Sequence, residues 1–110
     1  MTPLPQELSP AELAQRLARG EPVCLLDVRE AEEVALAALP GAVHIPLRSL
    51  PARVGELDPR ATIVVYCHHG MRSAMAAEWL VERGFQSVLN LAGGIDAWAR
   101  EVDPTMPRYT

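Results

Sequence analysis

The stretch Cys67-His68-His69-Gly70-Met71-Arg72-Ser73 holds the densest reactive chemistry in the chain, with a thiol, two imidazoles, a guanidinium and a hydroxyl side by side. A thiol reacts as its thiolate, and a free cysteine with a pKa of about 8.5 is mostly protonated near neutrality. A nucleophilic cysteine therefore needs neighbours that stabilise negative charge. Gly70 can take a positive φ, which curls the chain and lets successive backbone N–H groups converge on one anion. Arg72 adds a permanent cation, and Ser73 is placed to cap a helix starting there. The unpaired N–H groups and partial positive charge of that helix then face Cys67. His68 and His69, when partly protonated, add charge toward an anionic ligand. The spacing predicts a cradle for an anionic sulfur, or for an oxyanion bound against it.

The remaining reactive side chains are assigned by their surroundings. A closed zinc site is not expected: adjacent side chains in a curled loop diverge, and His44 is the only other histidine. Cys24 lies in an apolar run and reads as a small buried hydrophobe. Neither cysteine belongs to a Cys-x-x-Cys pair, and two are too few for a disulfide scaffold. Asp27 and Arg29, just past a strand end, read as a structural ion pair beneath the reactive loop. The acidic run Glu30, Glu32, Glu33 reads as a solvated helix face, and Trp79 and Trp98 as packing residues.

These residues are positioned by alternating strands and helices. Ser9, Pro10 and Glu12 form a helix start with a capping box, Leu8, Leu13 and Leu17 give that helix its apolar stripe, and Gly20 ends it. Short apolar runs over residues 23–26, 43–45, 62–66 and 88–91 read as strands, the third being the clearest. Helices are expected over 30–38, from a Ser49 cap through Leu50, Val54 and Leu57, over 73–83, and over 95–100. This alternation implies an α/β fold, with a parallel sheet covered by helices on both faces. Ligands of such sheets sit beyond the carboxyl ends of the strands, which is where the Cys67 loop falls.

With 110 residues, a single domain is expected, its core over 9–101 and a short tail over 102–110. The apolar share of 49% and charged share of 22% are those of a soluble globular protein. A net charge of −4 argues against a nucleic-acid surface, and no apolar stretch approaches the roughly 20 residues of a membrane helix. Arg16 is the first basic residue, after Glu7 and Glu12, so no secretory signal is expected and the cytoplasm is the expected compartment. Every basic residue is an arginine, which fits a high-GC or heat-adapted bacterial source.

The loop Tyr66 to Ser73 resembles the active loop of the rhodaneses, single-domain sulfurtransferases. Leu26-Asp27-Val28-Arg29-Glu30, Pro40-Gly41-Ala42-Val43-His44-Ile45-Pro46 and Gly93-Gly94-Ile95-Asp96-Ala97-Trp98 resemble further family stretches, in the family's order. Val102-Asp103-Pro104 with Pro107-Arg108-Tyr109 is similar to the tail of one bacterial subgroup. The resemblance implies a rhodanese fold, with Cys67 carrying sulfur as a persulfide held by the backbone of residues 68–73. It implies a small anionic donor such as thiosulfate, a cyanide or thiol acceptor with a protein acceptor left open, and no metal or organic cofactor. One departure is Ala37-Ala38-Leu39, where the family usually has Gly-His-Ile before Pro-Gly-Ala; altered local packing is expected there.

Two rivals remain at this point. Cysteine-dependent phosphatases and arsenate reductases use the same cradle physics, but place their arginine six positions after the cysteine, where this chain has Ser73. A non-catalytic module that senses sulfur species would be expected to lack the cysteine.

Overall fold

The computed structural model describes residues 5–110. Its centre is β4 (Thr62–Tyr66), β-branched at every position but the last, with Ile63, Val64, Val65 and Tyr66 all buried. Side chains alternate across a strand, so Ile63 and Val65 join one apolar cluster while Val64 and Tyr66 join another on the opposite face. β2 (Cys24–Asp27) and β5 (Ser87–Leu91) pair with β4 on either side. β3 (Val43–His44) extends the sheet beyond β2, and β1 (Gln6–Leu8) extends it beyond β5. All five strands are parallel, in the order β1-β5-β4-β2-β3. This is the α/β architecture expected from the sequence.

Helices cover both faces because a sheet apolar on both sides must be shielded twice. On one side α3 (Leu50–Arg53) and α4 (Met71–Glu82) bring Leu50, Ala76, Ala77 and Leu80 against Leu26, Ile63 and Val65. On the other, α1 (Pro10–Ala18) and α5 (Gly94–Glu101) bring Leu13, Ile95 and Trp98 against Leu25, Val64, Tyr66 and Leu91. α2 (Ala31–Leu36) buries no side chain completely, so its position is set by polar contacts rather than by the core. The chain passes from β2 outward to β3 and then returns to the far side of β2 to form β4. The crevice at such a reversal, between the carboxyl ends of β2 and β4, is where α/β sheets bind ligands.

Local signals are realised at α1, where Ser9 Oγ accepts the Glu12 N–H at 3.1 Å and Glu12 Oε1 accepts the Ser9 N–H at 3.3 Å. Three expectations need correction. β1 has no counterpart in the sequence reading, and Leu8 is the buried end of this strand, not part of a helix stripe. The strand exists because the edge of β5 offers free backbone partners, a tertiary cause without a local pattern. α4 starts at Met71 behind Gly70 at φ +105°, so Ser73 lies inside the first turn and does not cap it. Ser49 precedes α3, but its backbone is already helical from the Leu47–Ser49 turn and its side chain makes no cap.

Cys24 is half-buried at the start of β2, packed against the core, and burial pushes its thiol pKa up. It pairs in register with Ile63, four residues before Cys67, a distance of about 13 Å at the rise of a strand and too far for a disulfide. Trp98 is buried, while Trp79 is half-buried beneath the Arg83 guanidinium, 3.7 Å from the ring centroid. Among the described residues no helix is long and apolar enough to cross a membrane.

Leu80 is fully buried where α4 meets the sheet. Leu80→Ala is expected to destabilise the protein by about 2–5 kcal/mol, read from the urea midpoint. A midpoint equal to the wild type would show that α4 is not held by this contact.

Candidate active site

The sulfur of Cys67 sits one residue beyond β4, on the α4 face, and the residue is almost entirely buried. The Gly70 N–H donates to Sγ at 3.1 Å and the Ser73 N–H at 3.4 Å. The Ser73 hydroxyl lies 3.3 Å from Sγ and donates to Asn90 Oδ1 at 2.6 Å. One hydroxyl carries one proton, so it serves the sulfur and Asn90 alternately. Asn90 Nδ2 in turn donates to the Gly70 carbonyl at 3.1 Å and to Glu7 Oε2 at 2.9 Å. The only asparagine of the chain thus ties the first turn of α4 to the loop below it.

The loop is held from beneath by a second helix. The Ile95 N–H donates to the Cys67 carbonyl at 2.9 Å, and the Asp96 N–H to the His68 carbonyl at 3.1 Å. Both donors belong to the first turn of α5, whose amides have no partner within the helix. The Cys67 and His68 carbonyls therefore face α5 while the Gly70 and Ser73 N–H groups face the sulfur. The approach is so close that a Cβ on Gly94, at φ +65°, would come within 2.5 Å of the Cys67 carbonyl oxygen. Only glycine fits there.

Asp27 and Arg29 form the ion pair expected of them, and both are buried. Nε and Nη2 of Arg29 reach the two Asp27 oxygens at 3.0 and 2.7 Å. Its other N–H groups donate to the carbonyls of Glu33 at 3.3 Å and Ala37 at 2.7 Å, and to the Tyr109 hydroxyl at 2.9 Å. Tyr109 passes this connection onward, donating to Glu33 Oε2 at 2.7 Å.

Arg72 is placed differently from an open anion ligand. Its two terminal nitrogens hold the Glu33 carboxylate at 2.6 and 2.8 Å, a bidentate pair joining α4 to α2. Glu33 is therefore not part of a solvated acidic face: its side chain is 19% exposed. Arg72 and the Tyr109 hydroxyl hold its carboxyl pKa down to about 2, against the opposing effect of burial.

The histidine expectations are also revised. The rings of His68 and His69 do not diverge but stack, with centroids 3.9 Å apart, and Tyr109 stacks on the other side of His68 at 3.9 Å. Burial, with His69 as a second cause, pushes the His68 pKa below its usual value, which disfavours a positive charge on this ring. Asp96 joins the two rings, and the ligand atoms of the three lie within 4.8 Å of one another. Both Asp96 oxygens are already forked by Arg108, at 2.9 and 3.0 Å, and Arg100 lies 3.7 Å away, which leaves little charge for a metal ion. His44 is elsewhere, hydrogen-bonded to the Arg29 carbonyl at 2.7 Å.

A shallow pocket lined by Cys67, His68, His69, Met71 and Arg72 opens over the sulfur. The loop thus brings together residues 67–73 as a unit, while Asp27 and Arg29 are buried beside Tyr66 and Tyr109. Four contributors escape the sequence reading: Glu33, Asn90, Asp96 and Tyr109. Asn90 carried a signal, a polar residue inside an apolar strand; for the side chains of Glu33 and Tyr109 the side-chain partners are 39 or more residues away in sequence.

The rhodanese-like domain family model matches residues 9–101. A sulfurtransferase of Allochromatium vinosum is 42% identical over 94 residues, covering 86% of this chain and 88% of its own. The putative sulfurtransferase YtwF of Bacillus subtilis is 40% identical over 99 residues, covering 90% of this chain and 95% of its own. The crystal structure of a rhodanese-like domain protein from Staphylococcus aureus superposes with a TM-score of 0.82 at 28% identity, covering 96% of this chain and 99% of that one.

The depressed Glu33 pKa has a consequence for stability. Its charged form stabilises the fold fully above the unfolded carboxylate pKa of about 4.3, and this stability is lost as pH falls through the folded value of about 2. Thermal melts from pH 5 to pH 2 should therefore show a steeper loss in wild type than in Glu33→Gln, by an amount of the order of 2 kcal/mol. Parallel acid limbs would show that the pair contributes nothing.

Proposed function

The chain belongs to the rhodanese-like domain family, and on that premise we propose that it is a sulfurtransferase in which Cys67 accepts a sulfane sulfur and carries it as a persulfide. The observation that carries this reading is the set of donors on Sγ, two backbone N–H groups and a serine hydroxyl at the start of α4. The two amides are fixed by the backbone and hold a negative sulfur without reorganising during transfer, as preorganised donors do in other active sites. The Ser73 hydroxyl joins them when its proton turns from Asn90.

With a donor such as thiosulfate, the Cys67 thiolate attacks the outer sulfur. The sulfur–sulfur bond of the donor breaks and its electron pair leaves with sulfite, so Cys67 becomes a persulfide. An acceptor nucleophile then attacks the terminal sulfur, and the electron pair of the bond being broken returns to Cys67 as thiolate. Cyanide leaves as thiocyanate; a thiolate, from a small molecule or a protein, leaves as a new persulfide. In this reading His68, His69, Gly70, Met71, Arg72 and Ser73 form the substrate-facing wall, and Asp27 and Arg29 support it. The chain acts as a single sulfurtransferase domain in the bacterial cytoplasm, where thiols stay reduced.

Intact mass after incubation with thiosulfate and removal of excess donor tests the assignment. A gain of one sulfur atom is expected in wild type and in Cys24→Ser, and none in Cys67→Ser. Sulfur retained by Cys67→Ser, or lost in Cys24→Ser, would overturn the role of Cys67.

A further inference from the structure

Among the described residues, every permanent cation at the mouth of the site is paired with a carboxylate. Arg72, the one guanidinium lining the pocket over Sγ, is clamped by Glu33 through two short hydrogen bonds. Glu33 is itself fixed by the Tyr109 hydroxyl at 2.7 Å and the Glu30 N–H at 3.2 Å, so its carboxylate is pre-positioned rather than free to swing away. Arg108 is forked to Asp96, and His69 Nε2 lies 3.8 Å from the same carboxylate. His68 is stacked between His69 and Tyr109, and its Nε2 is buried with no hydrogen-bond partner. Arg29 is fully buried and paired with Asp27. The rim is completed by Met71, one of the most exposed apolar side chains of the protein.

A thiolate meeting a sulfur donor brings two anions together. When the donor is a dianion, the repulsion is doubled, and side-chain cations are the natural compensation. Here the wall offers backbone amides and an apolar rim but, among the described residues, no uncompensated cation. We propose that the Glu33–Arg72 pair sets the charge of the sulfur donor, favouring singly charged sulfane donors with an organic substituent, such as thiosulfonates and alkyl persulfides, over the thiosulfate dianion. Glu33 is then a positioning residue that acts through Arg72. This rests on the persulfide reading above and names the donor class for the same site.

Methanethiosulfonate and thiosulfate form a matched pair of donors. Each gives its outer sulfur to the Cys67 thiolate, and the electron pair leaves with methanesulfinate or with sulfite. The two differ by one unit of charge. Steady-state transfer to cyanide is measured with both donors in wild type, Glu33→Gln and Glu33→Asp. The donors' intrinsic reactivities cancel when one donor ratio is compared between variants. Wild type is expected to show the lower KM for methanethiosulfonate. Glu33→Gln, which frees Arg72, is expected to lower the KM for thiosulfate about tenfold, with kcat and the methanethiosulfonate KM changed less than about twofold. Glu33→Asp keeps the charge and should keep the wild-type ratio. A ratio of thiosulfate to methanethiosulfonate KM that is the same in wild type and Glu33→Gln overturns the proposal, as does a wild-type KM lower for thiosulfate. Should Glu33→Gln lack a native near-ultraviolet circular dichroism spectrum, Tyr109→Phe, which removes one bond from the carboxylate, is expected to move the ratio in the same direction by a smaller factor, and an unmoved ratio overturns the proposal. If neither donor leaves sulfur on Cys67, the persulfide reading fails; if both do and the ratio stays fixed, only the donor preference fails.

Discussion

A guanidinium sealed away from water has to find an acceptor for each of its five N–H groups, and Arg29 does so. Its partners come from four places: Asp27 at the end of β2, the carbonyls of Glu33 in α2 and Ala37 just after it, and the Tyr109 hydroxyl in the tail. Leaving a buried charge unpaired costs several kcal/mol, so these segments are constrained to meet around one side chain. That constraint explains how α2 keeps a defined place while burying no side chain completely. It also accounts for the Ala37-Ala38-Leu39 stretch. Ala37 contributes a carbonyl to Arg29, and Leu39 contributes an N–H to the Tyr66 hydroxyl, backbone groups that most side chains would supply equally well.

The Cys67 loop is built by dividing its backbone between two helix starts. α5 takes the carbonyls of Cys67 and His68, and α4 directs N–H groups to the sulfur. Peptide groups carry both a donor and an acceptor, so lining a pocket with donors requires the acceptors to be satisfied elsewhere. α5 performs that task, and the closeness it needs is why glycine occupies position 94. The polarity of the pocket is accordingly a property of the backbone. The charged side chains around it are matched in pairs, Arg72 with Glu33 and Arg108 with Asp96. The tail reinforces the arrangement from outside, with the Tyr109 ring against His68 and its hydroxyl between Arg29 and Glu33.

Much of this was legible along the chain because it depends on neighbours in sequence. Apolar runs such as 62–66, the Ser9–Glu12 capping box and the order of strands and helices are local patterns, and they suffice for an α/β parallel sheet. The Cys67 loop was visible for the same reason, since a curled glycine, a helix start and a cysteine lie within a few residues of one another. Even the Asp27–Arg29 pair spans only two residues. The exceptions among local features, the start of α4 and the uncapped Ser49, turn on backbone angles that residue type alone does not specify.

What the sequence by itself determined, then, is the fold class, the place of the Cys67 thiol and the backbone cradle around it. Tertiary structure alone decided how charge is distributed over that cradle. Glu33 meets Arg72 across 39 residues, and Tyr109 reaches Arg29 across 80. Asp96 comes beside His68 and His69 only because α5 docks under the loop. Bringing such groups together takes the complete sheet with helices on both faces, and no periodicity or spacing in the chain encodes which carboxylate will be within reach of which cation. The same holds for β1, a strand that forms because β5 has a free edge to pair with.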